Sequence, residues 1–83
     1  MRVVANIPHQ EFGITVFAWN HKYLIKFEKE NLEQTYKISE FDLLGEDAIQ
    51  EILDNQAFMQ NVARRFEEMQ KDLFQMLHPD FEE

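Results

Sequence analysis

Apolar and polar positions largely alternate along residues 2–38, whereas from residue 39 the apolar positions recur every three or four residues. Alternation with period two marks strands that bury one face, and a period near 3.6 marks amphipathic helices. The pattern predicts strands over residues 2–7, 12–19, 23–29 and 32–38, separated by residues 8–11, 20–22 and 30–31. Connections this short join antiparallel neighbours, so the predicted sheet is a meander in order 1-2-3-4.

The register follows from the turns. With Asn20-His21 as a two-residue turn, Ala18 faces Tyr23, Val16 faces Ile25 and Ile14 faces Phe27. A turn at Glu30-Asn31 sets Ile25 opposite Tyr36 and Tyr23 opposite Ile38. A tight connection after Ile7 sets Ile7 opposite Phe12, Ala5 opposite Ile14 and Val3 opposite Val16. All three hairpins then bury the same face, and agreement of this kind specifies a register.

Beyond Ile38 the chain turns helical. Ser39 precedes Glu40 and Asp42 and is placed to cap a first turn. A short helix begins at Gly45-Glu46-Asp47, with its acids near the positive helix N-terminus and Ala48, Ile49, Ile52 and Leu53 as its stripe. Asp54-Asn55 interrupts it and offers a cap to a second helix over residues 56–77, which His78-Pro79 ends. The stripe of this helix is Phe58, Val62, Phe66, Met69, Leu73 and Met76. A helix of that length spans about 33 Å. A seven-residue strand spans only about 23 Å. One end of the helix should therefore overhang the sheet, and Phe74, Leu77 and Phe81 near its C-terminal end become candidates either to dock on a partner subunit or to fold back onto the same subunit. The expected fold is a two-layer α+β domain: a four-stranded antiparallel meander followed by one short and one long helix on one face. A single domain over residues 1–83 divides into the meander (1–38), a helical half (39–78) and a short acidic tail (79–83).

The other face of the sheet is then expected to carry Arg2, Val4, Thr15, Phe17, Trp19, Lys22, Leu24, Lys26, Glu28, Glu33, Thr35 and Lys37. Clustered aromatic and aliphatic side chains on an open face mark an interaction site. Phe17, Trp19 and Leu24, with Lys26 at the rim, are the predicted partner surface. Three readings of it compete. The rings are covered locally, by a lysine stem or by a tail bearing Phe81. A second copy packs its sheet back to back. Or aromatic and basic residues together form a stacking platform for single-stranded nucleic acid.

Charge bears on that choice. The net charge is −8, distributed unevenly: residues 1–38 hold four acids and five basic residues, and residues 39–83 hold twelve acids and three basic residues. The acidic excess reads either as a solvated helical face that keeps a small protein soluble or as a surface that steers toward a basic partner, and in both cases it repels nucleic acid. Two glycines and two prolines with 45% hydrophobic residues argue for an ordered core. The start of the sequence lacks a signal-peptide apolar region, and no apolar run approaches a membrane span, so a cytoplasmic location is expected.

Candidate chemistry is sparse. Without cysteine there is no thiolate chemistry or disulfide, and the lone serine, Ser39, sits at a cap rather than in a glycine-rich elbow. His9, His21 and His78 lie in or beside predicted turns without metal-ligand spacing, although folding could bring His9 near His78. Acid pairs such as Glu46-Asp47 and Glu67-Glu68 fall on helix surfaces rather than in a cleft. No catalytic residue, cofactor or metal site is assigned. The expectation is a non-catalytic interaction module that self-associates as a homodimer, with single-stranded nucleic-acid binding as the alternative.

Overall fold

A computed structural model describes residues 1–80 of the chain. Four antiparallel strands, β1 (Arg2–Ile7), β2 (Gly13–Trp19), β3 (Lys22–Lys29) and β4 (Leu32–Ser39), form one sheet in the order β1-β2-β3-β4. A 3-10 turn (Glu40–Asp42), the short helix α1 (Asp47–Asp54) and the long helix α2 (Gln56–Leu77) follow. The element order and sheet topology are those the hydrophobic pattern predicts.

The two later hairpins have the predicted register. Ala18 pairs with Tyr23, Val16 with Ile25 and Ile14 with Phe27; Ile25 pairs with Tyr36 and Tyr23 with Ile38. Glycine is absent from both turns, so other residues supply the left-handed backbone: Asn20 (φ 53°) and His21 (φ 61°) in the first, Glu30 (φ 55°) in the second. Positive φ at both central residues of the first turn, and at the first central residue of the second, matches the right-handed twist of the flanking strands.

The first hairpin departs from the prediction in two ways. Ile7 pairs with Ile14 and Ala5 with Val16, a shift of two residues from the expected partners. The reason is Phe12, which is no strand partner. It closes the loop instead, buried in the core with the His9 ring stacked on it at 4.3 Å while the Glu11 amide donates to His9 Nδ1 at 3.0 Å. Because the shift is even, the same side chains still face inward. The second departure is a bulge between Val3 and Ala5. An extra residue in one strand reverses the facing of everything beyond it. Val4 therefore packs against the core. Arg2 pairs with Ala18 of the inner face and reaches Glu46 at 3.7 Å, while Val3 faces outward opposite Phe17. The outer-face positions expected for Arg2 and Val4 are thus corrected, and Val3 takes their place.

The core lies between the sheet and the helices. Ile14, Val16, Ile25 and Phe27 of the sheet meet Ile49 and Leu53 of α1 and Val62 and Phe66 of α2, with Phe12 at the edge. Phe12 stands edge-on to Phe27 at 5.6 Å and tilts against Phe66 at 5.7 Å. Two polar contacts tie α2 to β4: Gln34 Nε2 donates to the Val62 carbonyl at 2.9 Å, and Arg65 Nη1 donates to the Tyr36 hydroxyl at 2.9 Å. Both predicted caps form. Ser39 Oγ accepts from the Phe41 amide at 3.3 Å, and Asn55 Oδ1 accepts from the Phe58 amide at 2.9 Å.

The α2 stripe changes environment along its length. Phe58, Val62, Phe66 and Met69 are buried or half-buried, but every residue from Lys71 to Leu77 is exposed. Gln70 Nε2 lies 3.4 Å from Glu30 in the β3–β4 turn, which marks where the helix passes the end of the sheet. The predicted overhang is therefore present. Phe81 lies outside the described residues.

Candidate interaction surface

Strand pairing arranges the outer face in cross-strand rows. Val3, Phe17, Leu24 and Lys37 form one row across all four strands. Next to it, Trp19, Lys22 and Ser39 form a row at the β2–β3 hairpin end. On the other side come Asn6, Thr15, Lys26 and Thr35, then Gly13, Glu28 and Glu33. The first row is apolar over three adjacent strands, and this continuity exists only because the bulge turns Val3 outward. Val3 and Trp19 are each 53% exposed, while Phe17 and Leu24, flanked by strands on both sides, are half-buried. Among the described residues, both helices lie on the opposite side of the sheet.

Lys26 stands in the row bordering Phe17 and Leu24 and reaches over the apolar row. Its ammonium lies over the Phe17 ring, 5.4 Å from the centroid, and pairs with Glu28 at 3.0 Å. The stem covers apolar surface while the charge stays near water. Phe17 is thus partly covered by a lysine, as one sequence reading anticipated, whereas Val3 and Trp19 are not. Cover by the tail is a different matter: the His78 ring packs on Phe74 at 4.4 Å, at the far end of α2, and residues 81–83 lie outside the described residues. The structure brings Phe17, Leu24 and Lys26 together and sets Trp19 in the adjoining row. Val3 is the member that sequence reasoning missed. Val3-Val4 reads the same whichever valine faces inward, so the hydrophobic pattern holds no signal of the bulge.

A second apolar surface is the projecting end of α2, where Leu73, Met76 and Leu77 are 45%, 79% and 66% exposed. Phe41 and Leu44, in the segment between β4 and α1, are also exposed. The outer sheet face carries Lys22, Lys26 and Lys37 against Glu28 and Glu33. The helical half carries the acidic excess.

The histidines are dispersed. His9 stacks on Phe12, His21 Nδ1 sits 2.9 Å from Glu40, and His78 packs on Phe74. Among the described residues, no three histidine or acidic side chains converge on one point. No helix among these residues is long and apolar enough to cross a membrane. No protein-family model, curated protein sequence or solved structure matches the chain.

Proposed function

We propose that the protein is a non-catalytic interaction module that self-associates through the outer face of its sheet. The observation that carries this reading is the Val3–Phe17–Leu24 row, extended by Trp19, on the side of the sheet away from both helices. A contiguous apolar patch on a small acidic protein promotes aggregation unless a partner covers it. The lysines around the patch favour a partner with acidic surface, and a second copy of this chain, with its excess of acids, supplies one. The acidic excess of the helical half disfavours the nucleic-acid alternative, because it repels phosphate at long range. The proposed assembly is a dimer, the simplest closed form of self-association.

Phe17→Glu tests this. A carboxylate in the middle of the apolar row would be desolvated by any partner that covers it. Light scattering over a concentration series should show the wild-type mass rising above that of one chain, and the variant remaining at one chain with unchanged circular dichroism. A wild type that stays at one chain into the high micromolar range would refute self-association.

A further inference from the structure

We infer that the surface which occupies the outer sheet face is the projecting end of α2 from a second copy; this deepens, and rests on, the self-association reading above. Charge and shape within one chain point to the pairing. The last two turns of α2, about 10 Å of helix, present Leu73, Met76 and Leu77 as one stripe, since residues three and four apart share a face. Asp72 borders that stripe and Glu68 lies beyond it, while Lys71 falls on the opposite side of the helix. The projecting end is therefore an amphipathic ridge whose apolar stripe is edged by one carboxylate, Asp72. The sheet face is its complement: an apolar row of Val3, Phe17 and Leu24, bordered by Lys37 at one end and Lys22 in the adjoining row.

A helix end cannot serve its own subunit in this way. It leaves the sheet at the β3–β4 turn and on the inner side, where Gln70 meets Glu30. Two sheets packed back to back make a poorer match. A two-fold axis parallel to the strands keeps the rows aligned, so Lys22 and Lys37 of both copies gather around the apolar rows while Glu28 and Glu33 stay together at the far end. A central two-fold axis across the strands sets Lys22 against Glu28 of the other copy, but it also sets the Phe17–Leu24 row against Thr15 and Lys26. The helix end instead brings apolar stripe to apolar row and Asp72 to the lysines. A contact of two helical turns buries less than the roughly 1,200 Å² of a standard interface, so the association is weak and transient. Each contact joins two different surfaces, and the dimer closes when two copies exchange their helix ends about a two-fold axis.

That asymmetry allows a complementation test. Phe17→Glu spoils the face and leaves the helix end intact. The double variant Met76→Glu with Leu77→Glu spoils the helix end, at exposed positions, and leaves the face intact. Sedimentation velocity at high micromolar concentration should find each variant monomeric alone and a one-to-one complex when the two are mixed. If the helix-end variant self-associates as the wild type does while Phe17→Glu does not, the face is a contact surface but sheet meets sheet, and this inference falls alone. A mixture that stays monomeric also overturns it. A wild type that is itself monomeric removes the underlying reading as well. Should Phe17→Glu fail to fold, Lys22→Glu with Lys37→Glu replaces it as the spoiled face, with the same outcomes expected.

Discussion

Glu30 holds φ 55° in the β3–β4 turn, a conformation that suits glycine and penalises a branched or long side chain. The left-handed region costs an ordinary residue roughly 1–2 kcal/mol, while glycine returns about 0.5–1 kcal/mol of that through its greater freedom in the unfolded chain. Glu30→Gly should therefore stabilise the fold by about 0.5–1 kcal/mol, seen as a higher urea midpoint with unchanged slope. The Gln70 contact it removes is 3.4 Å long and exposed, too weak to reverse the sign. His21 has the same backbone but a different side-chain role. Its carbonyl accepts from the Glu40 amide at 3.0 Å, its ring nitrogen meets the Glu40 carboxylate, and its ring stacks on Phe41. These contacts tie the β2–β3 turn to the end of β4. At this scale the cross-strand pairs were legible wherever a slip would expose a large side chain, as for Ile14–Phe27. Illegible were the places where two readings bury the same chemistry: the Val3-Val4 bulge, and the even shift that exchanges Phe12 for Ile14 opposite Ile7.

Among the elements, α2 is held at three kinds of point. Its start is capped by Asn55, its middle packs through Val62 and Phe66, and β4 binds it through Gln34 and Arg65. Asn55→Ala should cost about 1 kcal/mol by leaving the Phe58 amide without its acceptor. Thermal melts followed at 222 nm would register this as a lower midpoint with the same starting helicity. The helix bounds and its cap could be read from spacing and from Asn55 because both obey local rules. The β4 anchors could not. Gln34 falls at an inward position among Leu32, Tyr36 and Ile38, and its break in the alternation is the one trace of a polar contact across the layers. Arg65 resembles any solvated arginine until Tyr36 is placed beneath it. The exposed end of α2 was legible from length alone, since 22 residues of helix outrun an eight-residue strand.

For the whole molecule, the radius of gyration is 15.0 Å. A compact 83-residue domain would have about 12 Å. The extents of 49 × 26 × 21 Å agree with a helix that projects past the sheet. Among the described residues, apolar side chains are thus exposed on the outer sheet face, beside Lys22 and Lys37, and on the helix end, beside Asp72. Their partner surface was legible in part: Phe17, Leu24 and Trp19 follow from the sheet register, but the completion of the row by Val3 depends on the bulge. Trp19, the single tryptophan, stands beside that row and is 53% exposed, so its fluorescence reports directly on whether the face is covered. Emission spectra recorded in a short-path cell from low to high micromolar protein should shift to shorter wavelength as copies associate, and the shift should vanish in Phe17→Glu. An unchanged, solvent-exposed Trp19 emission across the whole range would contradict the assignment of this face as the contact surface.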